Sequence, residues 1–224
     1  MTVLLVVAKA PVPGMVKTRL CPPATPIQAA RLAAAALRDT LDAVRDTPGV
    51  TPVLALAGHL ADAEDGAELT AALATWSVLP QRGADLADRL AHAHLDVAEA
   101  FPDRRVLQIG MDTPQLTPAR LAAAVRRLAN ADAVLGPAED GGWWALGLRD
   151  PRQAVVLRGV PMSTPETGRS TWSALTGRGL HAVPLPVLRD VDDWSDARAV
   201  AAAAPDGRFA RQVATVRRAM VVRA

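Results

Sequence analysis

Residues 2–20 read TVLLVVAKAPVPGMVKTRL, and the passage from an apolar run into a basic, proline-broken loop decides the fold. Thr2–Ala8 (TVLLVVA) is a continuous run of β-branched residues and leucine. That pattern marks a strand buried on both faces, and so a parallel sheet covered by helices on each side. Lys9–Ala24 reads as loop. Thr25-Pro26 then supplies an N-cap and a first helical residue, opening a helix that runs to about Asp46.

The same alternation continues outward from this unit. Pro52–Ala57, Trp76–Leu79, Arg105–Ile109, Ala133–Gly136 and Trp143–Leu148 read as strands, and Ala61–Ala74, Asp85–Ala100 and Thr117–Asn130 as helices. The last third is less regular: a helix over Pro165–Thr176, short strands at His181–Leu185 and Leu188–Val191, and a C-terminal pair of helices. Strands alternating with long helices define an α/β fold, here three-layer α/β/α with a mostly parallel mixed sheet. With no repeat and no linker, residues 1–224 read as a single domain.

Composition narrows the class. The 224 residues are 50% hydrophobic and 21% charged, enough for a buried core and unlike a disordered chain. With 25 basic and 23 acidic residues the formal charge is +2, so the pI near 9.3 reflects a small surplus and no basic tract. Lys9 and Lys17 are the only lysines, and the Ala/Arg bias reads as genome composition. The single cysteine, Cys21, excludes an internal disulfide framework and a cysteine-rich zinc site. His92 and His94 stand two apart on a helix, not the four of a helical zinc pair, and take no role. No apolar run reaches the ~20 residues of a membrane span. The start runs from apolar residues straight into Lys9, unlike a secretory leader. The expectation is a soluble, cytoplasmic protein with no membrane or nucleic-acid partner. Arg208, Arg211, Arg217, Arg218 and Arg223 cluster near the C-terminus without interleaved aromatics, which suits a solvated helix better than a nucleic-acid surface.

In open α/β sheets, ligands bind outside the carboxyl ends of the strands. Five strand ends here carry polar or glycine-rich clusters: Lys9–Leu20, Gln81–Asp85, Gly110–Pro114, Pro137–Gly142 and Arg189–Asp193. A rim with lysine and arginine on one side and aspartates on another suits a metal-bound phosphate ligand. Each cluster also has a plainer reading. Asp112 before Thr-Pro could make an Asx turn, Asp192 could cap the next helix, and Gly141-Gly142 could be a hairpin turn.

Several of these stretches resemble a known family. AKAPVPGMVKTRL (Ala8–Leu20), QRGADLADRL (Gln81–Leu90), IGMDTPQL (Ile109–Leu116), GPAEDGGWWALGL (Gly136–Leu148) and DVDDWSDA (Asp190–Ala197) resemble, in order, motifs of the bacterial radical-SAM/selenodomain-associated transferases. That family has the GT-A fold of nucleotide-diphospho-sugar transferases and is similar to 2-phospholactate guanylyltransferase and the molybdenum-cofactor nucleotidyltransferases. The chain departs from the family pattern at Met111, Ala84, Ala87 and Asp193-Trp194. The resemblance implies a metal-dependent transferase moving a nucleotidyl or glycosyl group from a nucleotide or nucleotide-sugar donor to a small-molecule acceptor. Asp112 and Asp192 would hold Mg2+ or Mn2+, and Lys17, Arg19, Asp112 and Asp140 would be the catalytic set. Lys9, Gly14, Gln81, Gly83 and Asp85 would contact the donor, with Gly141 and Gly142 on the acceptor side. Pro11 and Pro13 have no amide to offer a phosphate, so Lys17 and Arg19 would contribute more of that contact. A nucleotide-binding protein of the same fold with weak or no catalysis remains the alternative, and an arginine-rich nucleic-acid binder the more distant one.

Overall fold

The computed structural model describes residues 1–221; Arg223 of the C-terminal arginine cluster lies outside them. Seven strands form one sheet: β1 (Thr2–Lys9), β2 (Val50–Ala57), β3 (Ser77–Pro80), β4 (Arg105–Gly110), β5 (Ala133–Pro137), β6 (Trp143–Leu148) and β7 (Ala182–Pro184). Their spatial order is β3-β2-β1-β4-β6-β5-β7. β6 runs antiparallel to β4 and β5, and every other pairing is parallel. The carboxyl ends of β1 to β5 and β7 therefore share one edge of the sheet.

Strand β1 is central because its sequence can be buried on both faces. Leu4, Val6 and Ala8 pack toward α1 (Pro26–Arg45), α2 (Gly66–Ala72) and α4 (Pro118–Ala129). Val3 and Leu5 pack with Ala93 and Val97 of α3 (Leu86–Ala100) on the other face. α5 (Thr167–Gly177) joins α3 on that second face. Two further helices, α6 (Trp194–Ala203) and α7 (Arg208–Val221), cover the outer side of α1. α1 is thus buried on two sides. Its alanines 29, 30, 33, 34, 35 and 36 are all 7% exposed or less, so in this helix alanine answers a packing demand and not composition alone: small side chains let a sheet and two helices approach the same rod.

The helix starts follow the caps. Thr25 accepts from the Gln28 amide and Gln28 returns to the Thr25 amide, with Pro26 inside the first turn. Thr117, accepting from the Arg120 amide, and Pro118 repeat the cap and the proline for α4 without the reciprocal bond. Three elements differ from expectation. The helix expected over Ala61–Ala74 is a 3-10 turn (Leu60–Asp62) followed by the shorter α2. Pro151–Gly159 forms a 3-10 segment against α3 where no element is expected. Leu188–Val191 is not a strand: Leu188 makes a single bridge to Ala138, and three residues on the Val191 amide donates to Asp112 O at 2.9 Å. The chain crosses the end of the sheet there, from the β5 side to β4, so it cannot stay paired with one neighbour.

Candidate active site at the carboxyl edge of the sheet

The crossing at residues 188–192 assembles the site. Leu188 is bonded to Pro137 and Glu139, and Val191 to Asp112. Residues beyond β4, β5 and β7 are thereby fixed to one another by main-chain hydrogen bonds. Lys17 completes the junction from the first loop. Its ammonium donates to Val191 O and lies 2.7 Å from Asp112 Oδ1. The Lys17 side chain is only 10% exposed, and its backbone adopts φ 50°, an uncommon left-handed conformation for lysine. Asp112 Oδ1 is shut off from solvent, makes no aligned hydrogen bond, and has the Lys17 ammonium as its close counter-charge. Arg19, two residues on, pairs with Asp192 at 3.0 Å but stands 72% exposed. The two basic residues thus differ in kind: Lys17 is built into the fold and Arg19 lies at its surface.

Asp192 is free for this pairing because a different residue caps α6. The cap is Asp193, which accepts from the Asp196 amide at 3.0 Å while Asp196 returns to the Asp193 amide. Carboxylate oxygens of Asp140, Asp190 and Asp192 all lie within 4.8 Å of one another. Asp190 is the member that sequence reasoning did not single out, though the quoted DVD stretch contains it. Burial, reinforced by the charges of Asp140, Asp192 and Asp112, pushes its carboxyl up to about 6. Asp112 and Asp192, expected as the ligand pair, play different parts: Asp192 belongs to the trio, whereas Asp112 faces Lys17.

The remaining candidates divide. Asp140 stands exposed in the trio while its Oδ1 also accepts from the Gly142 amide at 2.8 Å, so the turn and the cluster use the same side chain. Gly141 has φ 91°, and a Cβ there would sit 2.1 Å from Pro165 O; the Gly168 amide donates to Gly141 O. The glycines therefore let the β5–β6 turn dock against the start of α5. The Gln81 side-chain amide donates to Ala8 O and Ala55 O at 2.8 and 2.9 Å, tying the ends of β1 and β2 together. Asp85 is the N-cap of α3, accepting from Asp88 N. Gly83 (φ 142°) lies so close to α3 that a Cβ would be 2.7 Å from Arg89 N. Gly14 (φ 76°) is open around its Cα, so its need is conformational only. Lys9 lies exposed at the end of β1. Met111, at the position where the chain departs from the resembled motif, is 5% exposed and part of the core. Of the two tryptophans, Trp144 is buried and donates to Pro186 O.

This fold, a mostly parallel seven-stranded sheet with one reversed strand between layers of helices, is of the class found in nucleotidyl and nucleotide-diphospho-sugar transferases. A candidate nucleotide-diphospho-sugar transferase from Desulfovibrio desulfuricans G20 is 26% identical and superposes with a TM-score of 0.81, over 97% of this chain and 95% of that one. Rv0371c of Mycobacterium tuberculosis H37Rv, in complex with manganese, is 20% identical with a TM-score of 0.51, over 89% of this chain and 98% of that one. A cytidylyltransferase from Leptospira borgpetersenii serovar Hardjo-bovis is 13% identical with a TM-score of 0.56, over 99% and 95%. No curated protein matches the sequence. The chain belongs to the family described as "Uncharacterized protein conserved in bacteria (DUF2064)", which matches residues 40–164. That stretch includes Asp112 and Asp140 but neither the Lys17 loop nor Asp190 and Asp192. No helix among the described residues is long and apolar enough to cross a membrane.

Proposed function

We propose that the chain is a single-domain transferase, akin to the radical-SAM/selenodomain-associated transferases. It takes a nucleotide-activated donor, a nucleoside triphosphate or nucleotide-diphosphosugar, and transfers a nucleotidyl or glycosyl group to a small acceptor. The observation that carries this reading is the mixed-charge junction of Lys17 and Arg19 with Asp112, Asp140, Asp190 and Asp192 at the carboxyl edge of the sheet. Three crowded carboxylates, one of them raised to about 6 by burial and like charge, favour a cation between them; all-oxygen donors within the span of a hard-ion shell suit Mg2+ or Mn2+. Asp140, Asp190 and Asp192 would hold the ion, with Asp112 beside them. A bound ion supplies charge neutralisation at the phosphate oxygens.

The protein's own groups then have distinct work. Without ligand, Lys17 and Arg19 are neutralised by Asp112 and Asp192. A phosphate entering this rim offers both cations a better partner, because charge-assisted bonds to phosphate are strong and arginine can grip it with two N–H groups. As Lys17 turns to phosphate, the Asp112 carboxylate loses its counter-charge and would be free to join the groups that hold a cation. Arg19, already solvated, closes over the outer phosphate. Asp140, in the turn beside the trio, orients the acceptor hydroxyl or takes its proton.

A thermal-shift screen of nucleoside triphosphates and nucleotide-diphosphosugars, with and without Mg2+ or Mn2+, tests this reading. Ligand binding to the native state raises the melting temperature by mass action. The expected result is stabilisation by one donor class that requires the metal and is lost in Asp192→Asn. Pyrophosphate release would then mark nucleotidyl transfer, and nucleoside-diphosphate release glycosyl transfer. Absence of any metal-dependent donor shift overturns the proposal.

A further inference from the structure

Away from the carboxyl edge of the sheet, α1, α7 and the residue before α2 enclose a recess of about 280 Å3. Four arginines line it: Arg31 and Arg38 from α1, Arg208 and Arg211 from α7. Gln212 and Thr215 add neutral polar groups, and Asp65 is the acidic residue of the wall. None of the candidate active-site residues belongs to this wall. Two of the arginines are already paired, Arg31 with Glu64 and Arg208 with Asp39 and Asp42. The other two enter no ion pair among the described residues. Arg211 donates only to a main-chain oxygen, Asp206 O. Arg38 is less usual: its Nε is shut off from solvent and has no hydrogen-bond partner among the described residues. Arg38 thus brings to one wall of the recess a charge with no counter-ion among the described residues, which an anion bound there would supply.

We propose that this recess is a second anion site, for the phosphate or pyrophosphate group of a small molecule, with Arg38 and Arg211 as its principal donors. Two guanidinium forks on neighbouring helices suit the several oxygens of a phosphate. The volume lies at the small end of ligand pockets, which favours a compact phosphate over a polymer backbone. Arg31 and Arg208 stay with their carboxylates and contribute field but not direct bonds. The recess is also near the first loop through a short path: Glu64, the partner of Arg31, donates its amide to Pro11 O at 3.0 Å.

The test is a calorimetric titration of the full chain with inorganic pyrophosphate at fixed ionic strength, with Arg38→Gln/Arg211→Gln as the recess variant and Lys17→Ala/Arg19→Ala as the carboxyl-edge variant. The proposal expects binding to persist in the second variant and to weaken at least about tenfold in the first, one charge-assisted contact being worth about that much. In the wild-type chain, the Arg38 Nε–H resonance should shift on saturation with pyrophosphate, a readout that needs no variant to fold. An unchanged affinity in Arg38→Gln/Arg211→Gln, or an Arg38 resonance that does not respond, overturns the proposal. So does binding of a short RNA that depends on the two arginines while pyrophosphate does not bind.

Discussion

Replacing Lys17 tests the junction itself. In Lys17→Met the side chain keeps its apolar stem, ends one atom short of the ammonium position and loses the charge. Two groups then lose their partner: Val191 O, and Asp112 Oδ1, which is closed to solvent. An orphaned buried acceptor costs roughly 1–3 kcal/mol, and breaking a fully buried ion pair about 3–5. The Asp112 side chain is 41% exposed and can turn an oxygen toward water, so the lower range applies. A loss of about 2 kcal/mol lowers the melting temperature by roughly 4–8 °C in a chain of this size. Urea denaturation of Lys17→Met, Asp112→Asn and the double variant isolates the pair. Because the neutral amide introduced by Asp112→Asn no longer needs a cation, the double variant should be more stable than the sum of the single losses implies, by about 1–2 kcal/mol. Arg19→Ala is the control: its pair with Asp192 is exposed and should be worth well under 1 kcal/mol. A coupling below about 0.3 kcal/mol between Lys17 and Asp112 would show that the ammonium does not hold that carboxylate, and the charge-exchange reading of the site would fail with it.

Asp190→Asn should raise stability above pH 6 in the absence of divalent metal and abolish the further stabilisation that Mn2+ gives the wild type, both read as melting temperature. The sign follows from a carboxyl raised to about 6: its protonated form is favoured in the fold, so that contribution is present at low pH and lost as the pH rises through 6. His94 acts in the opposite direction. It is fully buried against Gln108 and burial holds it down to about 4, so unfolded chains take up a proton near pH 6.5 that the fold refuses. Stability should fall by roughly 3 kcal/mol between pH 6.5 and 4 on this account, and His94→Leu should flatten that slope in urea titrations. Gly141→Ala should cost on the order of 3 kcal/mol or more, since its Cβ would collide with Pro165 O and its φ is positive; a normal melting temperature would refute the docking role given to this turn.

Much of the architecture was legible because it depends on short-range pattern. The two-sided apolar run of β1, the Thr-Pro caps of α1 and α4, and the spacing of strands and helices are local signals, and the rule that ligands sit at strand carboxyl ends pointed to the edge where the mixed-charge junction lies. What failed was non-local. Nothing in Leu188–Val191 says that the chain must leave β5 and bond to Asp112, because that path depends on β6 lying between β4 and β5. The Pro151–Gly159 segment has no helical periodicity of its own and takes its form from packing on α3.

The same limit explains the site. Residue types marked Lys17, Asp112 and Asp192 as chemistry-bearing, yet type alone cannot assign partners. Lys17 and Arg19 looked equivalent as neighbours in one loop. The fold separates them: the left-handed turn at Lys17 carries its ammonium into the junction between Asp112 and Val191, while Arg19 remains outside on Asp192. Asp190, Asp192 and Asp193 likewise stand within four residues and have three different fates. Asp193 closes the start of α6, Asp192 meets Arg19, and Asp190 turns inward among like charges. Which aspartate caps the helix is settled by where the helix begins, and that start releases the other two carboxylates toward Asp140. The acidic trio is thus a product of helix capping as much as of the acidic residues themselves. Moving the cap back by one residue would withdraw Asp192 from the cluster without altering its charge.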